Sequence, residues 1–318
     1  MIKPSLRAFL ICALPVALFT LTGCSAIEPS KKGSSTKHDG IGSGPTLVNL
    51  AQGEVLEANG STLPRTLINS SYYTQNSDKA RDKICAGRCV ADARFPNKSG
   101  FPSLIFFHGG ALTSGTKQRV KYFEDRGFAV ISPTYRFYPE VSIEAILQDA
   151  AAAVAWSMRE IEKRGGDMKQ VALAGYSAGG YIALQLVMNP EYLASTNVAI
   201  DQFSALVTYS AHTITHMTIR EQQGIAKTQP LIDSYAPLYH VRKHTPPILL
   251  ITGDRELELL GRYEENAYFW RMMRVNGNDG VTLVELEGYD HDMVSPAHPV
   301  AYQFLSDLYE LGGSARGE

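Results

Sequence analysis

The feature that most constrains this chain is a short apolar run that turns sharply into an apolar helix. Residues 171–175 read VALAG, a pattern typical of a buried parallel strand, and residues 178–188 read AGGYIALQLVM, a pattern typical of a buried helix. Between them Gly175 and Gly179 flank Ser177 in a G-x-S-x-G pentapeptide, and glycine leaves room where a Cβ would clash. The pattern predicts a strained turn that presents the Ser177 hydroxyl as a nucleophile at a helix N-terminus.

Strand-like and helix-like segments alternate along most of the chain. The predicted strands are 63–73, 90–95, 103–107, 128–132, 171–175, 205–209, 248–252 and 281–287. The predicted helices are 117–125, 143–163, 178–188, 263–275 and 300–311. This alternation predicts an α/β fold in which helices cover both faces of a mainly parallel sheet. In such folds the ligand binds at the carboxyl ends of the strands, where the candidate catalytic residues fall.

One histidine follows the last predicted strand. His291 lies in the loop GYDHDM, and we expect it to take the proton of Ser177 and to return it to the leaving group. Two histidine pairs have the four-residue spacing that can bind zinc on a helix, His212 with His216 and His240 with His244. Their surroundings lack the zinc-binding pattern, so we expect positions in a lid or on the surface, and no metal site.

A glycine-containing loop follows the predicted strand 103–107. It reads HGGA and resembles the HGGG loop of esterases and lipases, with Ala111 in place of the last glycine. Such loops supply backbone N–H groups to a carbonyl oxygen as it becomes negatively charged. The predicted donors to this oxyanion hole are Gly110, Ala111 and Ala178, and His108 is expected to be structural.

Further motifs occur in a recognisable order. They are YRFYPE at 135–140, DAAAAVAW at 149–156, GGD at 165–167 and GYSAGG at 175–180. The set resembles the α/β-hydrolase superfamily, in its esterase branch around hormone-sensitive lipase. It is especially similar to bacterial feruloyl and acetyl-xylan esterase-like (BD-FAE-like) enzymes and to kynurenine formamidase-like enzymes. The resemblance covers roughly residues 100–310 and implies a two-step acyl-enzyme mechanism without metal or cofactor.

The resemblance also implies an acid and a cap. The acid of the triad is expected after strand 248–252, three residues beyond a glycine, which is Glu256; Asp254 remains the alternative acid. Residues 211–246 correspond to a small cap over the site. Its candidate pocket residues are Thr213, Ile214, Met217 and Tyr235.

The N-terminus has the pattern of an export signal. Lys3 and Arg7 precede an apolar run that ends in Leu21-Thr22-Gly23-Cys24, which resembles a bacterial lipobox with Cys24 as the lipid site. The alternative is an ordinary cleaved signal peptide. We therefore expect a lipoprotein signal peptide at 1–23, a lipidated cysteine and flexible tether at 24–46, and the hydrolase domain at 47–318. Serine after Cys24 resembles outer-membrane lipoproteins, whose folded part faces the periplasm or the exterior.

Two cysteines lie outside the signal and the lipobox. Cys85 and Cys89 are four residues apart, and an oxidising compartment favours a disulfide between them. Two free thiols, or a weak two-ligand metal site, remain as alternatives.

Charge and motifs together narrow the function. The net charge is −2 and no basic stripe occurs, which argues against a nucleic-acid partner. We expect hydrolysis of carboxylic esters at the cell envelope, with acetyl or feruloyl esters of polysaccharide as candidate substrates. A formamidase-like or peptidase-like amide hydrolase is one alternative, and a catalytically inactive binding lipoprotein is another.

Overall fold

The computed structural model describes residues 55–56, 62–74, 77–78 and 82–311, with side chains from residue 63 onward. The predicted signal peptide, Cys24 and the tether lie outside these residues. All described elements belong to one compact unit, residues 49–318.

A sheet of eight strands forms the centre of the described part. The strands are β3 (Thr66–Ser71), β4 (Val90–Arg94), β5 (Phe101–Phe107), β6 (Ala129–Pro133), β7 (Gly166–Tyr176), β8 (Ala205–Tyr209), β9 (Ile248–Gly253) and β10 (Val281–Leu286). Their order is β10-β9-β8-β7-β5-β6-β4-β3. β4 pairs antiparallel with both β3 and β6, and the other neighbours are parallel. A separate antiparallel pair joins β1 (Val55–Leu56) to β2 (Thr62–Leu63). The predicted mainly parallel sheet is confirmed.

Helices cover both faces of this sheet. They are α1 (Lys83–Arg88), α2 (Lys121–Glu124), α3 (Ile143–Lys163), α4 (Ala178–Met188), α5 (Glu191–Ala194), α6 (Met217–Gln222), α7 (Arg262–Val275) and α8 (Val294–Leu308). Short 3₁₀ turns occur at Ile200–Gln202 and Pro237–His240. Alternate residues of β5 enter opposite cores, because successive side chains of a strand point to opposite faces. Ile105 belongs to the core that contains residues of α3, α4 and α7, and Phe106 belongs to the core that contains residues of α2 and α8. Within the described residues, no helix combines the length and apolarity needed to cross a bilayer.

Helices with strong apolar periodicity match the predicted bounds. α3 begins and ends as predicted, and the Ser142 hydroxyl caps it by accepting a hydrogen bond from Ala145 N at 3.2 Å. In contrast, α8 begins at Val294 rather than at residue 300, and Pro299 lies inside it. Pro296 lies in the first turn, where a missing N–H costs no intrahelical hydrogen bond, whereas Pro299 lies beyond that turn. Ala297 and Ala301 are buried on one side of this helix.

The carboxyl ends of the parallel strands meet at one edge of the sheet. Residues 108–111 follow β5, Ser177 follows β7, residues 254–261 follow β9 and His291 follows β10. Parallel strands place these segments side by side, although up to 183 positions separate them along the chain. The predicted cap, residues 211–246, begins at the same edge and contributes α6 and the turn Pro237–His240.

Candidate active site

Ser177 lies on a tight turn between β7 and α4. Its φ is +52°, which is rare for a residue with a side chain and indicates backbone strain. The turn is held by a hydrogen bond from Ser177 N to Tyr209 O, at 2.8 Å. A Cβ on Gly179 would overlap the Phe107 carbonyl, and one on Gly175 would overlap the Gly179 backbone. The two glycines are therefore required for this turn to pack against β5.

His291 contacts the Ser177 hydroxyl. Its Nε2 lies 3.0 Å from Ser177 Oγ, within hydrogen-bond range. The Tyr176 ring packs against the imidazole with centroids 5.2 Å apart, and its hydroxyl lies 3.2 Å from the His291 carbonyl oxygen. The side chain of His291 is 18% exposed, so a substrate can reach it from solvent. The predicted pairing of Ser177 with His291 is present in the structure.

The carboxylate at His291 belongs to Glu258. Its Oε2 lies 3.2 Å from His291 Nδ1, and its side chain is 1% exposed. The backbone N–H groups of Gly253 and Leu259 also donate hydrogen bonds to this carboxylate, each at 3.0 Å. Glu258 is thus fixed on both oxygens and faces the histidine ring.

Neither of the predicted acids reaches His291. Glu256 is exposed, and its backbone N–H donates to Asp254 Oδ1 at 3.0 Å. Asp254 Oδ2 accepts a hydrogen bond from Gly288 N at 2.9 Å, so this carboxylate fastens the loop after β9 to the loop after β10. The loop after β9 coils, because Leu257 N and Glu258 N both donate to Asp254 O at 2.9 Å. This coil turns Glu258 towards the sheet and Glu256 towards solvent, and the prediction of Glu256 at His291 is wrong.

The surroundings of Glu258 favour its charged form. Burial opposes ionisation, but hydrogen bonds from His291, Ser210 and Gly253 outweigh it and lower the pKa of the Glu258 carboxyl to about 2. Glu258 is therefore an anion across the physiological pH range. It can orient the imidazole and stabilise a positive charge on it.

The loop after β5 lies against Ser177. A Cβ on Gly109 would lie 3.3 Å from Ser177 Cβ, so a glycine there allows close approach. Three consecutive residues have positive φ, Gly110 at 119°, Ala111 at 54° and Leu112 at 65°. The loop folds on itself, because Thr113 N and Ser114 N both donate to Gly110 O at 3.0 Å. Ala111 replaces the third glycine and nevertheless adopts a left-handed conformation.

Three backbone N–H groups near Ser177 have no protein acceptor among the described residues. They belong to Gly110, Ala111 and Ala178. Ala178 is the first residue of α4, where backbone N–H groups are free and the helix dipole favours negative charge. On the far side of the loop, the Thr218 hydroxyl donates to Ala111 O at 2.7 Å and fixes that peptide. An oxyanion hole formed by these three residues remains a prediction.

His108 points away from Ser177. It is buried, its ring stacks on Tyr135 with centroids 4.6 Å apart, and its Nε2 lies 3.0 Å from Thr134 Oγ1. Burial lowers the pKa of His108 to about 4. These contacts match the structural role that the sequence predicts.

A buried polar network that the sequence did not predict lies behind His291. The guanidinium of Arg262 donates to Glu265 Oε1 at 2.8 Å, to His212 Nε2 at 2.9 Å and to the carbonyl of Ser210. His212 Nδ1 lies 2.8 Å from Glu265 Oε1. Because arginine only donates, the proton of a neutral His212 must lie on Nδ1 and point to Glu265. Both ring nitrogens are thus occupied by protein partners.

The histidine pair 212/216 is part of the interior. His212 and His216 are each 1% exposed, with ring centroids 4.7 Å apart. Both residues lie in the predicted cap, but the expected surface position is wrong for this pair, because residues 210–216 leave β8 and run inward against α7. Burial lowers the pKa of both histidines. His240 differs, since it is half-buried and its Nε2 bonds Ser234 O.

Cys85 and Cys89 are joined in a disulfide. Among the described residues, one group of side chains has the spacing of three metal ligands, and it contains these two cysteines and Asp149. The Asp149 carboxylate is already bonded by Arg136 at 2.7 Å and by the Tyr73 hydroxyl at 2.8 Å. The group fits a disulfide beside a buried ion pair rather than a cation site.

The predicted pocket residues lie in different places. Met217 lines a cavity of about 280 Å³ next to Ala111. Tyr235 lines a separate cavity of about 310 Å³ on the side of α3 and α5. Thr213 is buried and donates to Glu265 O at 2.8 Å, and Ile214 packs against the larger core. Of the four residues, Met217 is the one that lines the cavity beside the oxyanion loop.

Known proteins resemble this chain in sequence and structure. It is 25% identical over 215 residues to esterase LipC of Mycobacterium tuberculosis, which covers 60% of this chain and 52% of LipC. It is 26% identical over 236 residues to an acetyl-hydrolase of Streptomyces hygroscopicus, which covers 61% of this chain and 77% of that protein. The chain thus spans about half the length of LipC, and smaller shares of the lipase 2 of Moraxella and of esterase LipI.

Solved structures show the same fold. Thermogutta terrifontis esterase 2 phosphorylated by paraoxon matches with a TM-score of 0.60 at 21% identity, over 80% of this chain and 98% of the esterase. A truncated carbohydrate esterase from gut microbiota matches with a TM-score of 0.59 at 17% identity, over 77% of this chain and 95% of that one. The fold is the α/β-hydrolase fold.

The family model called BD-FAE matches residues 93–259, which is more than half of the chain. This segment contains the HGGA loop, the Ser177 turn and Glu258, and it ends before His291. The chain belongs to the BD-FAE family.

Proposed function

We propose that this protein is a serine carboxylesterase that works through an acyl-enzyme. One observation carries the proposal: a continuous line of hydrogen-bonded groups from Ser177 Oγ to His291 Nε2 at 3.0 Å, and from His291 Nδ1 to Glu258 Oε2 at 3.2 Å. This is the geometry of nucleophile, base and orienting acid. The names of the relatives, esterases and an acetyl-hydrolase, support the same reaction class.

The proposed reaction has two steps. Ser177 Oγ attacks the ester carbonyl carbon while its proton passes to His291 Nε2, and Glu258 stabilises the imidazolium that forms. The N–H groups of Gly110, Ala111 and Ala178 hold the negative oxygen. The leaving alcohol takes the proton from His291 as the C–O bond breaks. Water, deprotonated by His291, then attacks the acyl-enzyme and releases the acid and Ser177.

The substrate that we propose is an acetyl or feruloyl ester of a polysaccharide. The support is the cavity beside Ala111, where six of the eight lining residues carry a hydrogen-bonding group: Thr113, Tyr138, Thr218, Glu221, Gln222 and Lys227. Hydroxyl, carboxylate and ammonium groups can hydrogen-bond sugar hydroxyls. The carbohydrate esterase among the similar structures points the same way, although it shares only the fold.

We also propose that the protein is a lipoprotein of the bacterial envelope, anchored through Cys24. The support is the sequence LTGC at 21–24, after a basic start and an apolar run. Metabolic labelling with an alkyne fatty acid should label the full chain and fail to label Cys24→Ser. Equal labelling of both would refute the anchor at this residue.

The proposed activity is tested with p-nitrophenyl esters from acetate to dodecanoate and with methyl ferulate, using the full chain in detergent. We expect turnover that is lost in Ser177→Ala, with short chains preferred. Ser195→Ala serves as a matched control, because this serine lies in an exposed turn and its hydroxyl bonds only Tyr192 O. Turnover that persists in Ser177→Ala would refute the mechanism. No turnover of any ester, with hydrolysis of aryl formamides instead, would refute esterase activity and favour the amide alternative.

A further inference from the structure

A fourth side chain touches the Ser177–His291–Glu258 line. Ser210 follows β8 directly, and its Oγ lies 2.8 Å from His291 Nδ1, closer than the Glu258 carboxylate at 3.2 Å. The two residues are 81 positions apart in sequence. The contact therefore depends on the fold, which brings the ends of β8 and β10 to one edge of the sheet.

The hydrogen atoms around Ser210 Oγ can be assigned from donor chemistry. Arg262 Nη1 lies 3.3 Å away and can only donate. His291 must carry its proton on Nδ1 when Nε2 accepts the proton of Ser177, so Nδ1 also donates. The Ser210 oxygen therefore accepts from both neighbours, and its own proton points away from them; Ser210 is also one of the groups that lower the pKa of the nearby Glu258 carboxyl.

The Ser210 hydroxyl is held in this position by its surroundings. The residue has φ +49°, its N–H donates to Ile251 O at 2.7 Å, and its carbonyl accepts from Arg262. Arg262 is itself fixed by Glu265 and His212, and all three side chains are buried. The buried ion pair thus supports the backbone turn that aims the hydroxyl at His291.

We propose that Ser210 is a positioning residue of the catalytic centre. Its hydroxyl oxygen accepts a hydrogen bond from His291 Nδ1. This contact favours the tautomer in which Nε2 is free to accept the Ser177 proton, and it keeps the ring in line with Ser177. The proposal rests on the proposed serine mechanism, and Ser210 itself contacts no reacting atom.

The test measures the second-order rate constant with which a fluorophosphonate probe modifies Ser177. This rate depends on activation of the serine and does not require the natural substrate. The variants are Ser210→Gly and Ser210→Ala, which both remove the hydroxyl. Glycine adopts positive φ freely, so it retains the turn and relieves strain. Ser103→Ala is the control, because Ser103 is a buried serine within β5 whose Oγ has no partner in the described structure.

Loss of a hydrogen bond to a charged group should lower the rate by about 10- to 100-fold. We expect both Ser210 variants to react that much more slowly, with the kcat of ester hydrolysis falling and KM within about twofold, and Ser103→Ala to match the wild type. A wild-type rate for Ser210→Gly would overturn the proposal, because the turn alone would then suffice. A rise in KM with an unchanged kcat would overturn the proposal as well. If the wild-type chain does not react with the probe, the proposed function fails instead.

Discussion

Replacing Glu258 by glutamine should reduce activity far more than the same change at Glu256. The two residues lie on one loop, two positions apart, and the substitution has the same size and charge effect at both. Glu258 faces His291 and is buried, whereas Glu256 is exposed. The pair therefore separates a carboxylate that acts on the imidazole from one that is merely nearby.

The magnitude follows from the distance between the charges. When His291 becomes an imidazolium, its charge lies about 4 Å from a Glu258 anion, and an effective dielectric constant of about 20 gives roughly 4 kcal/mol of attraction. This energy is present in the transition state and is lost in the neutral glutamine variant. It corresponds to about 1,000-fold in rate. Because the pKa of Glu258 is about 2, the anion is fully formed at assay pH, and the whole difference should be seen.

The assay is kcat/KM for p-nitrophenyl butyrate at pH 8, with the variants Glu258→Gln, Glu256→Gln and Asp254→Asn. We expect Glu258→Gln to lose about 1,000-fold in kcat/KM and Glu256→Gln to change by less than about twofold. Asp254→Asn should lose a few-fold. Asp254→Asn should retain much activity, because an asparagine oxygen can still accept from Gly288 N. Thermal unfolding of each variant shows whether the loop remains folded.

Two results would refute this reasoning. One is a Glu258→Gln variant that is folded and within about tenfold of the wild type, because the Coulomb argument requires more. The other is a large loss in Glu256→Gln, which would mean that the loop rearranges in solution and presents the other carboxylate to His291.

Three further predictions concern stability. Asp149→Ala should lower the free energy of unfolding by about 3 kcal/mol in urea titrations, because the buried guanidinium of Arg136 loses its buried carboxylate and retains the partly exposed Asp82; a change below about 1 kcal/mol would contradict this. Reduction of Cys85–Cys89, or the double serine variant, should cost about 2 kcal/mol by loop-closure entropy, and equal urea midpoints with and without dithiothreitol would argue against it. Burial lowers the pKa of His298 from 6.5 to about 4. Between these pH values the histidine is protonated in the unfolded chain but neutral in the folded one, so the free energy of unfolding falls as the pH drops from 6.5 to about 4. In His298→Gln, the melting temperature should depend less on pH between about 4 and 6.5. An unchanged pH dependence would show that other groups cause the loss of stability.

The ends of helices and strands with a clear apolar pattern could be predicted accurately from the sequence. Helices α3 and α4 and strand β8 have the predicted bounds, because burial on one face or on all sides leaves a clear pattern. The pairing of Ser177 with His291 was also predictable, since both follow buried strands and parallel strands end at one edge. Element ends without periodicity were less accurate, as at the start of α8.

The acid could not be placed by counting from a glycine. Asp254, Glu256 and Glu258 all lie in the loop after β9, and a rule based on spacing cannot tell which of them the loop turns inward. Hydrogen bonds to Asp254 fix the conformation of this loop. Leu257 N and Glu258 N donate to its carbonyl, and Gly288 N donates to its carboxylate. The apolar residues around Glu258 give no signal either, because Leu257, Leu259 and Leu260 are all exposed in the structure while the Glu258 side chain is buried.

The same limit explains why the network behind His291 was missed. Ser210 and Arg262 are 52 positions apart, and each looks ordinary alone, a serine after a strand and an arginine at a helix start. A buried arginine requires several acceptors, and it finds them only because β8 ends beside the loop that leads into α7. Once Arg262 is satisfied by Glu265, His212 and the Ser210 carbonyl, the turn at Ser210 can be kept at positive φ, and its hydroxyl faces the base. The buried charges thus support the geometry of the site without contacting the substrate, which is why their effect should appear in the activation of Ser177.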